Sequence, residues 1–135
     1  VKGSYYLCHA FLESLKKTKG NIVNVASIQS FVAATTATTY AISKGAVSQL
    51  TKTLAAELAK YGIRVNAIAP GVIETPMTEY TRTHQNVLDG YLQHVPMKRL
   101  GLPQELVGPT LFLSSDAASY VTGCILPVDG GYLTV

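Results

Sequence analysis

Tyr40 and Lys44 stand four residues apart where a long segment of helical apolar spacing begins, so on a helix they share one face, a turn from each other. A phenol in water has a pKa of about 10, and it serves acid–base chemistry at neutral pH only where its phenolate is favoured. A neighbouring ammonium and the positive end of a helix both supply that bias. Ser27 lies just past the run Ile22-Val23-Asn24-Val25-Ala26, whose short β-rich character predicts a buried parallel strand. Ligands of open α/β sheets bind beyond the carboxyl ends of the strands. Ser27 and the start of the helix are therefore expected to converge on one crevice, with the serine hydroxyl holding a substrate oxygen beside the tyrosine. A Tyr-x-x-x-Lys pair by itself also describes many surface pairs, so the surrounding chain has to decide its meaning.

Other reactive patterns carry less. Ser14-Leu15-Lys16-Lys17 has the S-x-x-K spacing of serine hydrolases that act on β-lactams, but the S-D-N and K-T-G partners are absent from the sequence, and an exposed helix end explains it. His9, His84, His94, Cys8 and Cys124 match no zinc spacing, so no metal site is expected. Cys8 and Cys124 read as buried small hydrophobes in a reducing compartment, which points to the cytosol.

The elements that must position Ser27, Tyr40 and Lys44 alternate along the chain. Apolar spacing predicts a helix from Tyr5 to Lys17 that stops at Gly20, with Tyr5 and Tyr6 packing in a helix interface. A second helix is expected from Thr39 to Tyr61, with Val47, Leu50, Leu54 and Leu58 inward and Gly62 as its stop. Ile63–Ala69 reads as a strand closed by Pro70-Gly71, Pro103–Leu113 as a helix entered through proline, and Cys124–Val128 as a last strand. Between them, Thr75–Gly101 is the most polar stretch, weakly patterned and expected to be mobile. Helix alternating with strand predicts a doubly wound parallel α/β sheet with right-handed crossovers.

Composition narrows the class further. The chain has 135 residues, 47% apolar and 14% charged, which fits one domain and excludes a disordered tail. Eleven Lys and Arg give a net charge of only +3, are scattered along the chain and interleave with no aromatic stripe, so no nucleic-acid partner is expected. No apolar run approaches the length of a membrane span, and the start lacks the layout of a signal peptide. The first residue is Val1 rather than Met, and three parallel strands would leave an apolar edge exposed. Residues 1–135 are accordingly expected to be part of a larger domain.

With these residues in view, Gly20-Asn21-Ile22-Val23-Asn24-Val25-Ala26-Ser27 followed by Tyr40-Ala41-Ile42-Ser43-Lys44 resembles the active-site region of the short-chain dehydrogenases/reductases. The Ser-to-Tyr interval of thirteen residues agrees, as do Ile63-Arg64-Val65-Asn66-Ala67-Ile68-Ala69-Pro70-Gly71, Thr75-Pro76-Met77, Gly123 and Asp129-Gly130-Gly131. The resemblance implies hydride transfer between NAD or NADP and a carbonyl or secondary alcohol. It makes Tyr40 the general acid/base, Ser27 the group that orients the substrate oxygen, and Lys44 the support for Tyr40 and the nicotinamide ribose. It also implies that Pro70, Gly71, Ile73 and Thr75 line the nicotinamide, that Gln29 and Val72 lie near the substrate, and that residues 74–101 form a substrate lid.

Departures matter as much. No two of the eleven glycines are separated by a single residue, so the glycine-rich phosphate fingerprint is absent. The family keeps that turn, the residue choosing between NAD and NADP, and a further catalytic Asn ahead of the region matched here. By resemblance this chain is the C-terminal part of a Rossmann-like fold, carrying strands five to seven of seven. Two functions follow: a dehydrogenase that needs a cofactor-binding half, or a truncated, non-catalytic interaction fragment, since the family assembles dimers and tetramers through the helices ending near Lys17 and Tyr61. The tail from Gly101-Leu102-Pro103 to Asp129-Gly130-Gly131 is similar to branches acting on sugar acids, polyols and 3-oxoacyl groups, and the polar lid favours a sugar acid or polyol.

Overall fold

The computed structural model describes residues 1–33, 35 and 37–135. Strands β1 (Asn21–Val25), β2 (Arg64–Pro70) and β3 (Ile125–Val128) form a parallel sheet in that order, with Val25 opposite Ile68 and Pro70 opposite Val128. Their carboxyl ends thus lie along one edge, which is what brings Ser27, Gly71 and Asp129 to the same side of the molecule.

Alternate residues of β2 face opposite ways. Val65, Ala67 and Ala69 pack under α3 (Thr38–Leu58), against Val47, Ala55 and Leu58, and Leu12 and Leu15 of α2 (Leu12–Thr18) complete that layer. Val47, Ser48, Thr51, Ala55 and Leu58 are the buried positions of α3, whereas Leu50 and Leu54 are only half-buried. Small side chains let the helix lie close on the sheet, and the leucines flank the contact. Thr51 donates to the Val47 carbonyl and accepts from the Asn24 amide, both at 2.9 Å, so the polar groups buried there are paired. A single 3-10 turn and Gly62, at φ 75°, end the helix.

The second face of β2 carries Arg64 and Asn66. Arg64 donates to the carbonyls of Leu113 and Ser115, and Asn21 to that of Ser114, which ties the end of α6 (Val107–Ser114) beneath the sheet. Fully buried Asn66 donates to the Val121 carbonyl and accepts from the Cys124 N–H, and so sets the start of β3. The connections through α3 and α6 step the same way across the sheet on opposite faces, so they have opposite hands. The expectation of uniformly right-handed crossovers is corrected here: the long excursion after Gly71 carries the chain around the carboxyl edge, and Arg64 and Asn66 hold it on the far face.

The first predicted helix also differs. It begins at Lys2 as α1 (Lys2–Ala10) and turns into α2 at Phe11, whose φ of −91° and ψ of 0° depart from helix geometry. Tyr5 and Tyr6 are exposed on this chain. The two cysteines are unpaired and half-buried, and burial pushes the Cys8 thiol up. Among the described residues no helix is long and apolar enough to cross a membrane, and no cluster of metal-binding side chains occurs.

The polar excursion holds α4 (Glu79–Thr83) and α5 (Gln85–Gln93), separated at His84. Its two ends meet: Gly101 donates to the Val72 carbonyl and accepts from the Glu74 N–H at 2.8 Å. Arg99 locks this neck by a bidentate pair to Glu105, at 2.7 and 2.6 Å, and Glu105 also accepts from the Leu102 N–H. Hydrogen bonds from Arg99, and next from the Leu102 N–H, lower the Glu105 pKa to about 2. Because the folded value is depressed, the clamp is complete above the ordinary value of 4.5 and is lost as pH falls through about 2. An NMR titration of the Glu105 carboxyl carbon should have its midpoint near the lower value; a midpoint at the ordinary one would show an open clamp.

Candidate active site

Ser27 ends the turn out of β1 in extended backbone, φ −166° and ψ 161°. It is buried, and its Oγ accepts the Gln29 N–H at 3.2 Å, which leaves its own proton to donate. The 3-10 turn Ile28–Ser30 that follows is fastened to α3 by the Ser30 hydroxyl, which donates to the Lys44 carbonyl at 2.9 Å. That bond fixes where the start of α3 lies relative to the end of β1.

Tyr40 is the third residue of α3, in its first turn. It is 37% exposed, and its hydroxyl makes no hydrogen bond among the described residues. Lys44 is one turn on, with its Nζ 5.6 Å from the centre of the Tyr40 ring and bonded to the Val25 carbonyl at 2.8 Å. The ammonium therefore spans from the last residue of β1 to the tyrosine, and two of its three N–H groups have no partner among the described residues. Gln29 Oε1 is buried without a hydrogen-bond partner among the described residues, a polar atom that water or a ligand could satisfy.

The end of β2 adds the other half of the crevice edge. Pro70 closes the strand and Gly71 donates to the Val128 carbonyl at 3.0 Å. A Cβ on Gly71 would lie 2.9 Å from the Tyr91 hydroxyl and 3.0 Å from Asp129 Cα. Since Asp129 is backbone there, the chain has to move, so Gly71→Ala should cost about 1–3 kcal/mol of stability, as overpacking does. Denaturant unfolding checks this, and an unchanged midpoint would contradict the close approach. The Ile73 side chain is buried and its carbonyl accepts the Thr78 hydroxyl. Its N–H makes no hydrogen bond among the described residues. Thr75 is tied to Thr78, whose hydroxyl accepts the Thr75 N–H at 3.1 Å.

Ser27, Tyr40 and Lys44 thus gather at the end of β1, as their spacing predicts, and Pro70, Gly71, Ile73 and Thr75 follow at the end of the adjacent strand. A cavity of about 110 Å³ sits beyond them, between 71–73, Tyr91, Met97, Arg99, Leu100 and Val128–Gly130. It touches none of the Ser27, Tyr40 and Lys44 side chains. Arg99, Glu105, Tyr91 and Asp129 give this region its shape; Asp129 stands in the Asp129-Gly130-Gly131 motif and Tyr91 in the polar excursion, but their contacts were not legible in the sequence, since Arg99 and Glu105 are six apart at no helical spacing and Tyr91 meets Val72 across 19 positions.

A three-strand parallel sheet with helices on both faces and polar groups collected at its carboxyl edge is part of a Rossmann-type nucleotide-binding fold. The chain belongs to the short-chain dehydrogenases/reductases: the family described as enoyl-(acyl carrier protein) reductase matches residues 1–133. It is 45% identical over 135 residues to galactitol 2-dehydrogenase (L-tagatose-forming) of Cereibacter sphaeroides, covering 98% of this chain and 53% of that protein. To the 3-oxoacyl-(acyl-carrier-protein) reductase of Thermotoga maritima it is 46% identical over 117 residues, covering 87% and 47%. The gluconate 5-dehydrogenase from Burkholderia cenocepacia J2315, solved in complex with NADP and tartrate, superposes with a TM-score of 0.97 at 34% identity, covering 100% of this chain and 53% of that one. The chain spans about half the length of the curated relatives it matches.

Proposed function

We propose that this chain supplies the substrate-facing half of a NAD(P)-dependent dehydrogenase that interconverts a secondary alcohol and a carbonyl. One observation carries the reading: the Lys44 ammonium bridges the end of β1 and the Tyr40 ring, beside a buried serine whose hydroxyl proton is unspent. When bound, the nicotinamide supplies or takes up the hydride. Tyr40 gives its hydroxyl proton to the oxygen of a carbonyl being reduced, or receives it from an alcohol being oxidised, and Ser27 donates a hydrogen bond that holds the same oxygen. Lys44 keeps a positive charge near the phenolate and has two N–H groups for ribose hydroxyls. The unpartnered Ile73 N–H suits the carboxamide of a nicotinamide, with Pro70, Gly71 and Thr75 lining the same side, so the donor set fits that end of the dinucleotide. Its pyrophosphate needs a glycine-rich turn that this sequence does not contain.

For substrate, the reading is a sugar acid or polyol ahead of a 3-oxoacyl group. The relatives named above act on both kinds, and the excursion 74–101, in the position of a lid, is polar. By the family resemblance Gln29 and Val72 face the substrate, and a hydroxyl-rich substrate would satisfy the buried Gln29 oxygen, which has no partner among the described residues. The working form is a cytosolic homodimer or homotetramer. Exposed Tyr5, Tyr6, Leu7 and Phe11 give an apolar face for that assembly, and they also support the second reading, a non-catalytic interaction fragment. Completing the chain with the N-terminal residues that precede the matched region in the Cereibacter sphaeroides relative and following NADH and NADPH oxidation with keto sugars, keto sugar acids and 3-oxoacyl thioesters tests the choice. Turnover of any of these supports the dehydrogenase; dinucleotide binding with no turnover of any favours the fragment.

A further inference from the structure

Tyr91 has no part in the proton and hydride chemistry proposed above. It lies on α5, inside the excursion, yet its hydroxyl oxygen accepts the Val72 N–H at 2.9 Å, in the middle of the turn between Gly71 and Ile73. This is a neutral hydrogen bond that joins two segments 19 residues apart. The Tyr91 ring is stacked on Tyr132, with ring centres 5.2 Å apart and planes at 14°, so the phenol is fixed in direction as well as in depth. Burial raises its pKa above 10.0, and it stays a neutral phenol at physiological pH. On the other side of the turn, Gly71 packs against Asp129 with no room for a Cβ. Met97 donates to the Gly130 carbonyl at 3.2 Å. The turn is therefore held from β3 by packing and by the Gly71 N–H on the Val128 carbonyl, from the neck of the excursion by Gly101 on the Val72 carbonyl and Thr78 on the Ile73 carbonyl, and from α5 by the Tyr91 hydroxyl.

We propose that Tyr91 is a positioning residue: its hydroxyl is the link through which α5 holds the 71–73 turn in the shape that presents the Ile73 N–H to the nicotinamide. Displacing α5 from the sheet removes the acceptor from the Val72 N–H and loosens the turn at that residue, while its bonds to Gly101, Thr78 and Val128 remain. Coupling of this kind is reciprocal, so a bound dinucleotide must in turn hold α5 down. The proposal rests on the dehydrogenase reading for its consequence in cofactor binding, but the link between Tyr91 and Val72 does not.

The test is Tyr91→Phe in the completed chain, a change that keeps the ring and its stack on Tyr132 and removes only the oxygen. Hydrogen exchange read by NMR should show the Val72 amide at least about tenfold faster, with the amides of Val65 to Ile68 in β2 unchanged. The KM for the dinucleotide should rise about fivefold, the size expected from one neutral hydrogen bond, with kcat held within about twofold. Tyr132→Phe, which keeps the stack and leaves the Val72 bond in place, should do neither. Unchanged exchange at Val72 overturns the proposal, and so does acceleration spread over all of β2, which would mark Tyr91 as ordinary core. A fall in kcat at constant KM overturns it as well. If neither the parent nor the variant binds a dinucleotide, the dehydrogenase reading fails, and the Val72 exchange still decides the link.

Discussion

Tyr40→Phe in the completed chain should lower turnover by about 10²–10⁴-fold, the usual contribution of a positioned acid–base group, while NAD(P)H affinity moves less than about twofold. The phenyl ring keeps its place in the first turn of α3 and its packing near Lys44, so the variant loses one oxygen and nothing of the fold. That oxygen has no hydrogen-bond partner among the described residues, which is why its removal leaves no buried group unsatisfied and stability should be unaffected. Lys44→Ala should behave differently and damage both turnover and cofactor affinity. It removes the charge near the tyrosine and also leaves the Val25 carbonyl without its donor. Steady-state kinetics with fluorescence titration of NAD(P)H separate the two patterns. A Tyr40→Phe enzyme retaining more than about a tenth of the parent rate would show that another group moves the proton.

The 135-residue chain by itself should neither bind NAD(P)H at micromolar concentration nor remain monomeric. Ala26 donates to the Ile68 carbonyl and Arg64 to that of Gly20, so alternate residues of β1 turn their backbone toward β2. Asn21, Val23 and Val25 then present theirs to the outer edge of the sheet. Of these groups the Val25 carbonyl is taken by Lys44, and the rest form a template for another strand. Val25 is 54% exposed, and Tyr6, Leu7 and Phe11 present further apolar surface. Sedimentation and titration calorimetry on the purified chain test both halves of the expectation. A monomer that unfolds cooperatively and binds NADH at micromolar concentration would contradict the sheet edge and the requirement for a glycine-rich turn together.

Much of this was legible in the residues. Ser27, Tyr40 and Lys44 share one crevice edge because strand, turn and helix are contiguous in the chain, and local pattern fixes their relative places. The strands were found within a residue or so because β-branched runs between glycines leave little choice. Long-range choices were harder to read. Nothing in the spacing of Arg64, Asn66 and Leu113 announces that α6 returns on the opposite face of the sheet, since that depends on side chains of β2 meeting carbonyls about 50 positions later. Leu50 and Leu54 looked like core by periodicity, yet Ser48, Thr51 and Ala55 fill the contact with the sheet, because close approach of the helix selects small residues over large ones. The links from Tyr91 to Val72 and from Arg99 to Glu105 escaped for the same reason: each joins a helical residue to a loop, where periodicity carries no information.

The most direct measurement of the central claim follows a labelled hydride. The completed chain is supplied with NADPH or NADH carrying deuterium at the transferable position of the nicotinamide and with keto substrates of the sugar and sugar-acid series, and the products are analysed by mass spectrometry and NMR. The result expected is one deuterium on the new carbinol carbon, formed by the parent and reduced at least about a hundredfold in rate by Tyr40→Phe. Reduced product without deuterium on that carbon, or equal label incorporation by parent and Tyr40→Phe, would contradict the assignment of Ser27, Tyr40 and Lys44 as the centre at which hydride and proton are exchanged.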